Sequence, residues 1–431
     1  MSDSKISKMW VGIALLAGSL VTVPSGWANG FRNPPEGSWA LGRVGGKIAQ
    51  VDDASAISHN PANLTSLDKG QAQVSMTVLN TGADYSSPMG SASTEDPWKF
   101  LPNLFVATPL DHGNYAAGIG VTTPFGQSTV WDKDSLFRYS APYFAEMKVI
   151  NINPTVAAKL NDQLSVGVGL DVFWSSLDLK QRIPWSMLTG VAMPDGQVHL
   201  SGTGQGVGGN AAVTYRPAKG HAIALTYRSP VKVDYSGDCD LEGFPMGAQA
   251  LGLSPSSDFD TTIEFPSIVG LGYGIQLTDT VRVEADVEWI QFSSYDTLSL
   301  NAANNNLLLN ANGPPSANPM APASVRQNWK DTWTFGMGAD WKVAEAMTLR
   351  AGYIYLQSPV PEETLAPTLP DASRHVFSLG AGYRHQQHSL DLAYAYSMIG
   401  DRNVASDQNP AFNGTYELTS HLMSLSYGYS F

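Results

Sequence analysis

Leu425-Ser426-Tyr427-Gly428-Tyr429-Ser430-Phe431 ends the sequence with bulky apolar residues in strict alternation with small polar ones. Carried back to Met423 and Ser424, the pattern puts Met423, Leu425, Tyr427, Tyr429 and Phe431 on one face. The other face carries only Ser424, Ser426, Gly428 and Ser430. Successive side chains of a strand point to opposite faces, so one face here suits hydrocarbon and the other water, the dyad pattern of a transmembrane β-barrel.

The same two-residue period recurs upstream. Val281, Val283, Ala285, Val287 and Trp289 interleave with Arg282, Glu284, Asp286 and Glu288, sets that a helix would mix around its circumference. Trp333 to Trp341, Leu164 to Trp174, Val269 to Leu277, Phe377 to Tyr383 and Leu390 to Tyr396 repeat it, with apolar faces that tend to end in Trp or Tyr as aromatic girdles do. Turn signals predict fourteen strands starting near Gln71, Phe100, Asn114, Lys148, Gln163, Gln197, His221, Thr261, Thr280, Gln327, Ala346, Arg374, Ser389 and Tyr416. The connections alternate in length. Short turns fall at Leu110–Gly113, Asn161–Asp162, Ala218–Gly220, Thr278–Asp279, Val343–Glu345 and His385–His388. Long gaps fall at Tyr85–Lys99, Gln127–Met147, Gln181–Gly196, Ser236–Phe259, Ser299–Arg326, Ser358–Ser373 and Gly400–Thr415. Short periplasmic turns with long outer loops are the bacterial barrel arrangement, and an even strand count returns both termini to the periplasm.

At the other end, Lys5 and Lys8 precede an apolar run from Met9 to Val23, and Pro24 and Gly26-Trp27-Ala28 follow. The run is too short for a spanning helix and fits a signal-peptide core with cleavage after Ala28. The predicted division is therefore 1–28 signal peptide, 29–69 a segment without barrel pattern, and 70–431 barrel. A segment of that length at the periplasmic end is a tail or a plug in the lumen.

Composition, with 43% hydrophobic and 15% charged residues, suits this class without defining it. The net charge of −13 argues against a nucleic-acid partner, because phosphate neutralisation needs a basic face. The single cysteine, Cys239, excludes an intrachain disulfide and a thiolate zinc cluster, and it is expected in a surface loop as a bystander. No Gly-x-Ser-x-Gly elbow and no spaced constellation supports a barrel hydrolase, so no enzyme and no cofactor are expected. Gly204-Gln205-Gly206-Val207-Gly208-Gly209 matches a dinucleotide fingerprint by letter but lies in a β-patterned run with no following helix.

The 29–69 segment contains Gly42, Gly45 and Gly46, then Asp52-Asp53-Ala54-Ser55-Ala56 and Asn60-Pro61-Ala62. In this it resembles the outer-membrane long-chain fatty acid transporter family, which also includes toluene and alkane uptake channels. Gly118-Ile119-Gly120-Val121-Thr122-Thr123-Pro124-Phe125-Gly126 is similar to the family's third strand, and Ile152-Asn153-Pro154 with Leu164 to Leu170 to its fourth and fifth. Gly414-Thr415-Tyr416 and the terminal Phe431, which resembles an outer-membrane assembly signal, extend the likeness over nearly the whole mature chain. The resemblance implies an all-β, fourteen-strand transmembrane barrel with an N-terminal hatch. It also implies a passive monomeric channel for a fatty acid, alkane or aromatic, set in outer-membrane lipid by the barrel-assembly machinery. Cargo would be captured by outer loops and a lumen pocket, the hatch would shift, and exit would be lateral beside a kinked third strand. Asp52, Asp53, Asn60, Pro61 and Ala62 would be hatch residues, the last three near the gap. Gly118, Gly120 and Pro124 would let the third strand leave regular pairing. The local alternative for Asn60-Pro61 is an ordinary turn. A metal site of Asp52, Asp53 and His59 is disfavoured because adjacent carboxylates in an extended chain point different ways.

About ten to twelve residues up each strand, inward positions become apolar: Phe173, Ile268, Ile290, Ile354, Val376 and Ile399, with Leu422 one step lower. That layer lies roughly 25–30 Å above the turns. Below it the inward set is Asp171, Arg282, Glu284, Asp286, Asp340, Lys342, Arg350 and Asp391. Packing beneath the outer loops and a hydrophobic ligand site both fit the layer. Arg228 and Arg374 point inward near it, placed either to pair a carboxylate head group or to set pore electrostatics. Leu241–Leu253 reads as a short apolar helix or a loop-packing patch, and Asn301–Asn312 as a long irregular loop. A general porin for polar solutes is the rival to the hydrophobic channel.

Overall fold

Alternation alone leaves open whether the strands close. A computed structural model describes residues 29–244, 254–302 and 324–431; the predicted signal peptide, most of the Leu241–Leu253 segment and residues 303–312 lie outside the described residues. Fourteen antiparallel strands form one closed barrel. They are β1 (Gln71–Ser87), β2 (Trp98–Leu110), β3 (Tyr115–Thr122 and Gly126–Trp131), β4 (Phe144–Lys159), β5 (Leu164–Ile183), β6 (Gly196–Tyr215) and β7 (His221–Arg228 and Val231–Glu242). The second half comprises β8 (Ser256–Phe265 and Ile268–Gln276), β9 (Val281–Ile290), β10 (Thr332–Ala344), β11 (Met347–Leu356), β12 (Arg374–His385), β13 (His388–Ile399) and β14 (Gly414–Ser430). β1 pairs with β14 from Gln71↔Ser430 to Ser86↔Thr415, which closes the wall and removes the open edge.

Parity follows the sequence pattern. On β9, Glu284, Asp286, Glu288 and Ile290 are buried in the lumen while the valines face out. Met423, Leu425, Tyr427, Tyr429 and Phe431 are exposed on the outside of β14.

Three strands are broken, and proline explains each break because it cannot donate to a ladder. β3 breaks over Thr123-Pro124-Phe125, as expected; β7 breaks at Ser229-Pro230 and β8 at Pro266-Ser267, neither of which was predicted. Other boundaries also move. β4 begins at Phe144 rather than Lys148, and β10 at Thr332 rather than Gln327. β7 runs to Glu242 and β8 starts at Ser256, so the long gap expected at Ser236–Phe259 is mostly strand. Cys239 is therefore not in a surface loop. It is fully buried on β7, packed with Leu200 and Phe259.

Inside the wall lies the N-terminal segment: a short helix α1 (Ser38–Gly42), a turn of helix α2 (Ala56–His59) and a 3₁₀ turn, Pro61–Ser66, capped by the Asn60 side chain. Nearly every residue from Asn29 to Leu64 is buried. The segment is a plug.

Candidate functional site

The plug meets the wall backbone to backbone. A Cβ on Gly45 would lie 1.9 Å from the Tyr353 carbonyl oxygen and 2.4 Å from the Met337 nitrogen, so only glycine fits there.

One strand carries most of the grip. Every inward residue of β9 from Arg282 to Glu288 holds the hatch. Arg282 pairs with Asp52 at 2.8 Å. Glu284 accepts from the backbone N–H groups of Ile48 (2.6 Å), Ala49 (2.5 Å) and Gln50 (3.1 Å) and from the Arg43 guanidinium (2.8 Å). Asp286 accepts from the Lys47 N–H at 2.6 Å, and Glu288 pairs with Arg32 at 2.9 Å and Lys47 at 3.0 Å. Arg43 also bonds Asp340, which Arg350 joins to Asp391. A buried carboxylate is tolerated when its lone pairs are filled this way. Of the inward charges read from the sequence, Arg282, Glu284, Asp286 and Asp340 dock the hatch, Arg350 and Asp391 brace Asp340, Asp171 pairs with Arg228, and Lys342 is exposed.

The two adjacent aspartates behave oppositely. Burial would raise the Asp52 carboxyl, but Arg282, Arg384 and Arg350 outweigh it and hold it at about 2. Burial pushes Asp53 up to about 6, against the two bonds it accepts from Ser55. His59 turns instead to Glu36, and burial lowers its proton affinity. Asp52, Asp53 and His59 thus face three different partners.

Asn60 fixes the hatch interior, its Nδ2 donating to the Ile48 carbonyl (2.7 Å) and Thr214 Oγ1 (2.8 Å). Pro61 and Ala62 lie against β5, where a Cβ on Gly167 would come within 2.4 Å of the Pro61 carbonyl carbon. The residues that meet the third-strand break are Phe31, Arg32 and Asn33. Asn33 N–H donates to the Pro124 carbonyl (2.9 Å), Asn33 Nδ2 to the Thr123 carbonyl (2.8 Å) and Gly126 N–H to the Phe31 carbonyl (2.8 Å). The hatch tip replaces the missing ladder. Gly118 and Gly120, expected to loosen this strand, are regularly paired with both neighbours. Their role is clearance for Ile57 of α2, which a Cβ would meet at 2.8 and 3.0 Å.

Above the break, β2 from Trp98 to Asn103 pairs with β1 but makes no ladder with Gly126–Trp131 of β3. Thr94 and Glu95, on the short strand Gly90–Glu95 paired with β1, bridge back to Trp131 and Val130, so the unpaired stretch is a window in the wall bounded above by that bridge. Behind it the Phe31 ring, swung inward by Gly30 at φ 60°, sits among Phe125 (6.0 Å between centroids), Phe265 (5.3 Å), Phe292 (5.8 Å), Tyr295 (5.3 Å) and Trp329 (5.1 Å). Residues 29–33 separate two cavities. The larger is lined by Arg32, Asn33, Lys47, Asn210, Arg228 and Ile354 among others; the smaller reaches the window at Lys99 and Ser128.

The predicted apolar layer divides three ways. Phe173 and Ile290, with Ile268 against them, join the Phe31 cluster. Ile354, Val376 and Leu422 pack with Leu41 and Val44 of the hatch. Ile399 lines the smaller cavity beside Arg374. Neither arginine expected to receive a head group is free. Arg228 is bonded to Asp171 and to the Ser58 carbonyl, and Arg374 to Asp371 and the Ala372 carbonyl. The cage residues Phe31, Phe125, Phe265, Phe292, Tyr295 and Trp329 were not singled out from sequence. The available signal was an aromatic beside two of the three strand-breaking prolines, in Pro124-Phe125 and Phe265-Pro266.

Fold and site together define a fourteen-strand outer-membrane barrel stoppered by its own N-terminal segment. Residues 19–431 match the family described as "Outer membrane protein transport protein (OMPP1/FadL/TodX)", and the chain belongs to that family. It is an outer-membrane protein. The long-chain fatty acid transport protein of Escherichia coli O6:H1 is 24% identical over 426 residues, 90% of each chain. Among solved structures, a FadL homologue from Pseudomonas aeruginosa superposes with TM-score 0.80 at 22% identity, covering 93% of this chain and 100% of that one. The Ralstonia pickettii toluene transporter TbuX superposes with TM-score 0.69 at 20% identity, covering 93% and 98%.

Proposed function

We propose that this chain is a passive channel for hydrophobic molecules, fatty acids or hydrocarbons, gated by hatch movement, with lateral exit through the window beside the third strand. The observation that carries the reading is the seat of Phe31. A phenyl ring of the plug fills an aromatic cage at the break, and the same residue's carbonyl ties the plug to Gly126. A hydrophobic ligand that takes the cage expels the ring, releases that tie and joins the two cavities to the window. No energy source is required, because transfer of apolar surface from water towards lipid is downhill by about 25 cal/mol per Å². Relatives titled fatty acid and toluene transporters support the cargo class.

In this reading Asp52, Asp53, Asn60, Pro61 and Ala62 belong to the part of the hatch that stays docked. Phe173, Ile268 and Ile290 surround cargo in the cage, and Ile354, Val376, Ile399 and Leu422 line its path. Arg228 and Arg374 serve as wall ion pairs. Residues 1–28 are removed as a signal peptide, and the barrel, delivered by the assembly machinery, works as a monomer.

The test is uptake of labelled oleate and toluene by cells lacking their own transporter, using the wild type and an Arg32→Cys, Phe125→Cys pair. These two positions face each other across an antiparallel bridge, at a spacing a disulfide can span. Uptake that falls on oxidation and returns on reduction supports the gate. If neither cargo enters faster although the barrel is inserted, the channel reading fails; uptake indifferent to the disulfide sinks the gating step.

A further inference from the structure

The smaller cavity runs from Gly30 of the hatch tip to Lys99 on one side of the window and to Ser128, Thr129 and Val130 on the other. Given the channel reading, it is the last chamber before the exit. Two cations line it, Arg374 and Lys99. Arg374 is spent on Asp371 and the Ala372 carbonyl. Lys99 is held more loosely. Its side chain points inward on β2, between the outward Trp98 and Phe100, and is 2% exposed, whereas the Asp96 carboxylate that meets its ammonium at 3.3 Å is 62% exposed. An ammonium carries three N–H donors, and one oxygen at that distance engages one of them. Such a pair is exchangeable: a second carboxylate can take Lys99 while Asp96 turns to water, and the buried cation is never left bare. Glu95, the other acid on this lining, is exposed at the rim as well. Gly30 borders the same chamber, so withdrawal of the tip uncovers Lys99 from the lumen side.

The window also stands at the height a charged head group needs. Trp98, next to Lys99, is exposed on the lipid side of β2, and Trp174 is exposed on the lipid side of β5. Above Trp174 the outer face turns polar. Lys148, opposite Gly126 of the window rim, pairs at 2.5 Å with Glu146, opposite Ser128, and their partners on β5 are Ser176 and Asp178. Aromatic girdles mark the boundary between hydrocarbon and head groups, so the opening lies at that boundary. An ionised carboxylate resists transfer into hydrocarbon, while an alkyl chain favours it. Cargo that leaves here keeps its head at the interface as the tail passes between the strands, and Lys99 supplies the cation at the inner end of that step.

We infer that Lys99 receives the ionised carboxylate of a fatty-acid cargo in the exit chamber by displacing Asp96, and so makes the window favour acid-headed over bare hydrocarbon cargo; the inference rests on the channel reading. The experiment measures barrel-dependent uptake of trace labelled dodecanoate and dodecane by cells carrying equal amounts of inserted wild type, Lys99→Met or Asp96→Asn. Met keeps the length of the side chain and loses its charge. Asn is tolerated at the positive φ of Asp96, 50°, and removes the competing carboxylate. Lys99→Met should lose about tenfold in dodecanoate uptake, the worth of one charge-assisted hydrogen bond, and leave dodecane unchanged. Asp96→Asn should raise dodecanoate uptake and leave dodecane unchanged. The inference is overturned if Lys99→Met slows both cargoes alike or neither, or if Asp96→Asn does not raise dodecanoate uptake; a loss in both variants would mark a purely structural ion pair. In each case uptake by the wild type keeps the channel reading. A wild type that admits dodecane alone also overturns only the inference, whereas one that admits neither cargo removes the channel reading and the inference with it.

Discussion

Replacing Phe31 by Ala should unlatch the tip of the hatch and leave its root in place. The ring is 3% exposed and lies within 6.0 Å of five aromatic rings. Deleting a buried Phe side chain costs about 3–5 kcal/mol, and each tenfold change in population corresponds to about 1.4 kcal/mol. The seated tip should thus be disfavoured by a factor of about 10² or more. Three amides report that equilibrium directly: Gly30, which donates to Asp371; Asn33, which donates to Pro124; and Gly126, which donates to Phe31. In hydrogen exchange they should lose about two orders of magnitude of protection. The amides of Ile48 and Ala49, held by Glu284, should keep theirs. A cage ligand such as toluene should bind more tightly to the variant, because it no longer competes with the ring. The reasoning is refuted if the three tip amides exchange at the wild-type rate, or if the Glu284-bound amides accelerate equally. The second result would make Phe31 a general packing residue and not a latch.

Glu284→Ala strips the acceptor from three hatch N–H groups and from Arg43, a loss of about 3–5 kcal/mol for a broken buried pair, and should expose the Arg43 and Lys47 bonds to trypsin in the intact barrel. Gly45→Val puts a side chain into the Tyr353 carbonyl, so the barrel should still form but with the hatch displaced, seen as a raised single-channel conductance. Asp53, raised by burial to about 6, gives a pH dependence whose sign is fixed. The folded hatch binds its proton more tightly than the unfolded chain, so this residue's contribution to hatch stability falls as pH rises from about 4 to about 6. Asp53→Asn should therefore stabilise the hatch at pH 7, by about 3 kcal/mol at most, and flatten that slope in exchange measurements. Asp52, held at about 2 by its arginines, works the other way: what it contributes is present above about 4 and is lost as pH falls towards 2.

The wall of this protein was legible in its sequence because a barrel strand answers to one period. Lipid on one side and lumen on the other force an alternation that Val281 to Trp289 and Met423 to Phe431 obey residue by residue. Strand count follows from that, whereas closure rests on the pairing of β1 with β14. The inward charges were legible as well, but not their purpose. Glu284 and Asp286 read only as inward polar positions because their partners are backbone N–H groups of a segment more than two hundred residues earlier, and a main-chain donor leaves no mark on a sequence. The cage was invisible for a related reason. Phe31, Phe265, Phe292 and Trp329 lie outside the interior of any alternating run, in the hatch, at strand ends and in a loop, and only the kinks at Pro124 and Pro266 bring them together. A repeat pattern records where a strand is regular. The gate is assembled where regularity stops, so the prolines and the aromatics beside them carry more functional information than the strands that made the fold readable.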